Sequence, residues 1–584
     1  MGGSPHPAPF VSEVIMLFYD FEVFKFDWLV VAMDTAAHET HAIVNAPEQL
    51  ENLYTAHTKD IWCGFNSRHY DQYILKGILC EFDPKAVNDY IITQGKPGWT
   101  FSTLFKKFPL WNYDVMLGTD PSLKCFEGYM GNDIRETSVP FNIDRKLTQE
   151  EIEETIKYCT HDVEQAMQVF LRRREEFDTM MYFIKHFKLS MDYISKTKAQ
   201  LAAAILGGNR KGAHFDDEFD FPILECLQLK KYKYIADWYR DPANHDYEKK
   251  QGKQIIAGVE HTFAWGGGHG AIRKYSSDGI FLIIDVTAYY PSLQKKYHFG
   301  YRVMDHPENF EFIHDSNIAY KRKGDKKTRQ PFKIMDNAIS GQMKQESSAL
   351  YDPMSNNSIC VNGQLLLLDL VEHIEPYCQL IQNNTDGIIV KLDDYDRDFE
   401  ILDDVVWEWE QRTGMRMDFD TFFGTIYQKD VNNYLLIDRE TGAIKAKGGY
   451  VMKLNDLSYD LPIINKALVN YMVKSIPVER TINECQDLRE FQLVARLSRK
   501  YTHILYGAKA LKERCIRVFA SKNVDDPGVK KVKAKTGRTE KIQNSPSHCF
   551  IFNDDVKGVP VPDRLDRQWY IDFSKKRLSD FGVN

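Results

Sequence analysis

Gly279-Ile280-Phe281-Leu282-Ile283-Ile284-Asp285-Val286-Thr287-Ala288-Tyr289-Tyr290-Pro291-Ser292 runs from an unbroken apolar stretch straight into a carboxylate. The stretch from Gly279 to Ile284 reads as a buried strand that ends at Asp285. A second acid is placed in a similar way. Leu380 to Leu392 reads as a hairpin, with Thr385-Asp386-Gly387 at its turn. The fold is decided by whether Asp285 and Asp386 meet at the ends of neighbouring strands. Carboxylates that meet so can share hard divalent cations, and paired cations make or break phosphodiester bonds.

A chain of 584 residues is too long for one core, so two or more domains are expected. Hydrophobic residues at 43% and charged residues at 27% are ordinary globular values, and aromatics at 13% are generous. The net charge of −8 means that any phosphate-bearing partner must be held by local basic patches. The ten cysteines include no C-x-x-C pair, which argues against a zinc site or a disulfide framework and suits a reducing cytosol. Residues 1–15 read as a loose leader without signal-peptide character, and no apolar run reaches membrane-spanning length. No internal repeat stands out.

A second acidic set occupies the first third. Val14 to Tyr19 reads as a strand with Trp28 to Met33 as its hairpin partner. The following Asp20-Phe21-Glu22 puts two carboxylates on one face of that strand, because side chains alternate with period two. Asn66-Ser67-Arg68-His69-Tyr70-Asp71 adds a third acid and an amide. Thr148-Gln149-Glu150-Glu151 is a capping box, with Leu147 and Ile152 as its staple. It opens a helix on which Tyr158 and Asp162, four apart, share a face.

Beyond Asp285, Lys321 to Lys333 is densely basic, and a helix is expected to begin near Pro331. Lys333, Asn337, Ser340 and Gly341 then fall at i, i+4, i+7 and i+8 of one face. A further helix is expected from Gly363 to about Ile374. Trp265-Gly266-Gly267-Gly268-His269-Gly270 reads as a plain loop, and Lys445 to Tyr450 as a basic hairpin turn. The last 130 or so residues read as mainly helical, with a basic loop from Lys530 to Lys541.

The order and spacing of these residues resemble family B DNA polymerases of the compact phage and plasmid type, preceded by a DEDDy 3′–5′ exonuclease domain. Asp20, Glu22, Asp71, Tyr158 and Asp162 follow the exonuclease order. Ser122-Leu123-Lys124-Cys125-Phe126 resembles the S/T-L-x-x-hydrophobic motif that guides single-stranded primer ends. Asp285 to Ser292 is similar to motif A, D-x-x-S-L-Y-P-S. Lys333 to Gly341 is similar to motif B, K-x-x-x-N-S-x-Y-G, with Ser340 for the tyrosine and Ala338 for the serine. Gln382-Asn383-Asn384-Thr385-Asp386 stands where motif C, Y-x-D-T-D, belongs. There Asn384 replaces the first aspartate and Gln382 the tyrosine. Lys445 to Tyr450 resembles the K-x-Y element at the primer terminus, and the Trp265 loop resembles the Y-x-G-G hinge.

The resemblance implies a multidomain α/β and α+β protein, with an RNase H-like exonuclease domain followed by a right-hand polymerase. Its parts would be the exonuclease at 16–190, the linker and first part of the palm at 191–300, and the fingers at 301–348. The second part of the palm would be 349–452 and the thumb 453–584. Asp285, Asp386 and Lys333 would serve synthesis, and Asp20, Glu22, Asp71, Tyr158 and Asp162 would serve proofreading. Asp285, Val286 and Asp386 form one implied metal set; Asp20, Glu22, Asp71 and Asp162 form the other. Each would hold two Mg²⁺, with Mn²⁺ as a substitute. Tyr290, Asn337, Gly341, Asn66, Ser122, Leu123, Lys445, Lys447 and Tyr450 would contact nucleotide or DNA. The expected partners are primer–template DNA, single-stranded DNA, dNTPs and replication accessory proteins. A cytoplasmic monomer is expected, in the host cytoplasm if phage-encoded.

Only Leu293 to Gln330 separates motifs A and B, and Gln342 to Ile381 is equally short. Neither leaves space for the long insertions of protein-primed relatives, so a nucleic-acid-primed enzyme is expected. Two alternatives stay open: an exonuclease whose polymerase half has decayed into a DNA-binding module, and a non-catalytic single-strand-binding protein.

Overall fold

The computed structural model describes residues 15–210 and 216–583; of the expected leader only Ile15 falls within them. The chain divides into two compact units. The first takes the described residues up to Thr197 together with Asn455–Asp460 and Gln486–Leu565. The second takes Lys198–Leu454, Leu461–Cys485 and the chain from Asp566 onward.

The first unit is built on a five-stranded mixed sheet. Its strands are β1 (Met16–Val23), β2 (Trp28–Asp34), β3 (Glu39–Val44), β4 (Ile61–Gly64) and β5 (Trp111–Asp114), in the order β3-β2-β1-β4-β5. β1 pairs antiparallel with β2 and parallel with β4, so the expected hairpin forms. β1 is buried on both faces. Leu17, Tyr19, Phe21 and Val23 enter a core with Trp62, Ile74 and Leu75. The opposite face turns Phe18 toward Phe170 of the helix Gln149–Arg172, with ring centroids 5.3 Å apart. Asp20 and Glu22 continue that face, which aims both carboxylates at the same helix. The helix starts where expected, with both capping-box hydrogen bonds formed between Thr148 and Glu151.

Part of the last 130 or so residues departs from the expected helices. Gln486–Leu565 carries seven short strands in two sheets, from Leu493–Arg496 to Cys549–Ile551. Stretches such as Cys515-Ile516-Arg517-Val518-Phe519-Ala520 are rich in β-branched and aromatic residues, which favour strand over helix. The expected basic loop Lys530–Lys541 is a hairpin of Val529–Lys533 and Thr539–Lys541. Arg517 is fully buried here and donates to the carbonyls of Gly128, Asn132 and Asp554, which fixes the C-terminal end of the helix Leu123–Met130.

The second unit is built on a nine-stranded sheet, antiparallel throughout. Its strands are β6 (Lys250–Ile256), β7 (Val259–Ala264), β8 (Gly267–Ala271), β9 (Tyr275–Val286), β10 (Gln379–Asn383), β11 (Gly387–Leu392), β12 (Met417–Asp430), β13 (Asn433–Asp438) and β14 (Ile444–Lys447). They run β14-β13-β12-β9-β11-β10-β8-β7-β6. The glycine-rich stretch after Trp265 is therefore strand β8 and not a plain loop, and Trp265 is buried among Phe219, Phe221 and Trp238. Helix Pro353–Ile374 begins ten residues before the expected Gly363. The helix expected to start at Pro331 starts at Lys326, because the Asp325 side chain caps it by accepting from Thr328 N. Pro331 lies inside it, at the cost of one main-chain hydrogen bond.

All ten cysteines are free thiols. Among the described residues no helix is long and apolar enough to cross a membrane.

Candidate active sites

In the second unit, period-two alternation sorts the central strands into two faces. Phe281 and Ile283 of β9 pack with Ile389, Phe422, Tyr434 and Leu436 on one of them. Asp285 is the next residue of β9 on that face. In register beside it stand Gly387 of β11 and Asp418 of β12, and Asp420 pairs with Ile283. The β10–β11 turn is closed by Asn384 N donating to Gly387 O at 2.8 Å, and Val286 N donates to Asp386 O at 2.8 Å. Asp285 and Asp386 therefore do lie at adjacent strand ends. Both line a cavity of about 190 Å³ with Gln382, Asn384, Tyr434 and Lys447. Asp386 is exposed, while Asp285 is half-buried.

The closeness of β9 and β11 depends on Gly387. A Cβ there would lie 2.1 Å from Asp285 Oδ1 and 2.7 Å from Ile284 O. Burial raises the Asp285 carboxyl above its usual range; Lys445 pulls it down and Asp386 pushes it up again. Lys445 on β14 reaches Asp285 Oδ2 at 3.3 Å and Asp420 Oδ2 at 3.0 Å. Burial works against that ammonium, but the two acids hold it charged.

Tyr290, Asn337, Ser340 and Gly341 come together on a second cavity of about 540 Å³, which Trp265, Lys344 and Tyr351 also line. The Tyr290 ring packs on Gly363, where a Cβ would stand 3.1 Å from its Cε1. Lys333 is exposed one turn before Asn337 on the same helix face. Tyr450 takes the Arg577 guanidinium over its ring at 4.1 Å. Of the basic run, Arg329 is held by Asn317 at 2.8 Å, while Lys326 and Lys327 are exposed.

The first unit gathers the other set. Asp20, Glu22 and Asp162 offer carboxylate oxygens that all lie within 4.8 Å of one another. Asp71 heads the helix Asp71–Leu79, and its Oδ1 accepts from Phe21 N at 3.1 Å. Burial raises the carboxyls of Asp20 and Glu22, and neighbouring acids raise them further. Burial, helped by the Asp114 charge, takes Asp71 to about 7 against the pull of two backbone amides. Asp20, Glu22 and Asp162, with Glu22 buried and the other two half-buried, fit a hard divalent cation, whose charge offsets the burial and the mutual repulsion of Asp20 and Glu22. Tyr158 donates to Glu136 at 3.3 Å. Asn66 adopts the left-handed conformation, φ +64°, and its N–H donates to Asp114 Oδ1 at 2.8 Å. Ser122 is the exposed N-cap of the helix Leu123–Met130, and Leu123 is half-buried.

Sequence reading passed over several residues at both sites. Asp418-Phe419-Asp420 repeats the acid–aromatic–acid alternation of Asp20-Phe21-Glu22 and could have been found by it. Lys124 falls on a variable position of the S/T-L-x-x-hydrophobic motif, yet its ammonium sits 2.7 Å from Asp162 Oδ1, 3.1 Å from Glu127 Oε2 and 4.5 Å over the Tyr158 ring. The i, i+3 spacing of Lys124 and Glu127 was its signal. Glu136, by contrast, carried none.

No protein-family model matches the chain. No curated protein matches it either. Among solved structures it is similar to the family B DNA polymerase from the hyperthermophilic archaeon Pyrobaculum calidifontis, with a TM-score of 0.40 and 13% identity. That match covers 100% of this chain and 79% of the other. A likeness at this level does not define a family.

Proposed function

We propose that the chain is a DNA-directed DNA polymerase of the family B kind with 3′–5′ exonuclease activity, one activity in each unit. The observation that carries the reading is the meeting of Asp285 and Asp386 across the β9–β11 pair. The domain scheme belongs to the same proposal: an RNase H-like exonuclease in the first unit, and palm and fingers in the second.

Asp285 and Asp386, with Val286, would hold Mg²⁺ or Mn²⁺ for synthesis, and Asp20, Glu22, Asp71 and Asp162 for trimming. Two such cations activate the attacking oxygen and stabilise the leaving one. The chain itself positions the reactants. Lys333 meets the triphosphate as a point charge. Tyr290 lies beneath the incoming sugar and leaves no space for a 2′-hydroxyl. Gly341 admits the templating strand, and Asn337 shares its cavity. Lys445, Lys447 and Tyr450 face the primer end. In the first unit Ser122, Leu123 and Asn66 guide the frayed strand, and Tyr158 orients the attacking water. Phosphate contacts dominate such binding, so it weakens steeply with salt.

A primer–template assay with Mg²⁺, with and without dNTPs, tests this. Extension supports it, shortening alone favours a nuclease with a DNA-binding second unit, and inert binding contradicts both. Asn384 in the place of an acid, and the Lys445 ammonium on Asp285, are the observations behind that second reading. They also yield an expected result. Asn384→Asp adds an ionised ligand beside Asp386 and lowers the Mg²⁺ concentration needed for half-maximal extension. An unchanged requirement would show that residue 384 does not face the ions.

Gly387→Ala is expected to slow extension about 100-fold, the cost of displacing a reacting group by about 1 Å. Trimming serves as its control, and equal loss of both would point to misfolding.

The nucleic-acid-primed reading is supported by what fills the short segments. Leu293–Gln330 holds the helix Pro307–Arg322, and Gln342–Ile381 is mostly the helix Pro353–Ile374. Long displacement products on a singly primed circle without accessory protein would count against it.

A further inference from the structure

Beside the Asp20–Glu22–Asp162 set lies a second group that shares only Asp162. Glu127, His161 and Asp162 each offer a ligand atom, and these atoms lie within 4.8 Å of one another. Glu127 is fully buried on the helix Leu123–Met130, where Arg517 anchors the helix end. His161 precedes Asp162 on the long helix and is partly exposed, its side chain 30% accessible. His161 Nε2 stands 3.5 Å from Glu127 Oε2 and 3.2 Å from the Asp133 carbonyl oxygen.

The Lys124 ammonium bridges Glu127 and Asp162 and so marks a place for positive charge. It does not satisfy the group. Glu127 Oε1 is buried with no hydrogen-bond donor among the described residues. A buried carboxylate oxygen without a partner is costly. The Lys124 ammonium rides on a four-carbon stem, whereas the Glu127 helix is pinned at its end by Arg517.

We propose that Glu127, His161 and Asp162 form a binding site for a divalent transition cation, zinc in preference to magnesium, for which Lys124 is the built-in competitor. An imidazole beside two carboxylates suits zinc or manganese, whereas magnesium prefers all-oxygen shells that keep their waters. Binding at His161 Nε2 breaks its hydrogen bond to Asp133 and leaves the ring neutral with its proton on Nδ1; a doubly protonated ring gives its Nε2 proton to solvent. Because Asp162 belongs to both groups, an ion here withdraws that carboxylate from Asp20 and Glu22. Occupancy therefore opposes the neighbouring site. The inference does not depend on the proposed polymerase or nuclease activity, since metal binding alone reports it.

The test is calorimetric titration of Zn²⁺ into the metal-stripped full chain in excess Mg²⁺, with zinc X-ray absorption for the ligand shell. Wild type is expected to take up zinc with one imidazole nitrogen in the shell. His161→Asn, at a partly exposed position, weakens binding at least about tenfold. Lys124→Met tightens it, and Asp20→Asn with Glu22→Gln retains it. Unchanged binding in His161→Asn would overturn the proposal. So would loss of binding in the Asp20/Glu22 variant, or no tightening in Lys124→Met. Circular dichroism of each variant separates loss of ligand from loss of fold.

Discussion

Asp386→Ala abolishes primer extension, by roughly 10³-fold or more, and leaves 3′-end trimming in place. The size follows from the several kcal/mol of charge stabilisation that a metal-bound carboxylate makes possible, at about tenfold per 1.4 kcal/mol. The selectivity follows from placement. Asp386 sits at the β10–β11 turn of the second unit, whereas Asp20, Glu22, Asp71 and Asp162 all belong to the first. Its exposed side chain supports no core, so the variant folds. Measurement is by extension and trimming of one labelled primer, each at saturating Mg²⁺. Retained extension would remove Asp386 from the chemistry.

Asp20→Ala gives the mirror result: trimming falls by a similar factor and extension persists. The Asp20 carboxylate shares its face of β1 with Glu22 and lies beside Asp162, so its loss opens the three-acid cluster of the first unit. The Cys159 thiol, which donates to Asp20 O, keeps that main-chain partner. Removing one of several like charges in a buried cluster also relieves repulsion, so metal-free Asp20→Ala is no less stable than wild type. Parallel loss of both activities in either variant would contradict two independent sites.

Much of the placement was legible because it follows from local periodicity. GIFLII before Asp285, the alternation at Asp20-Phe21-Glu22 and the Thr148 capping box each set an element and its face from adjacent residues alone. The hairpin around Asp386 was equally local. What escaped depends on contacts far apart in the chain. The i, i+3 spacing announces Glu127 for Lys124, but nothing near Lys124 announces Asp162, and nothing near Lys445 announces Asp285 and Asp420. The strands of Gln486–Leu565 were missed because each is short and several are interrupted by charge, as in Val529-Lys530-Lys531-Val532-Lys533. Pairing across the sheet, not local propensity, decides such segments.

The most direct measurement is anomalous diffraction from crystals of the full chain soaked in Mn²⁺. The account predicts a manganese peak between the carboxylates of Asp285 and Asp386, with the Lys445 ammonium drawn off Asp285, and a second peak at Asp20, Glu22 and Asp162. A peak at the second position alone, with Lys445 still seated on Asp285, would contradict it.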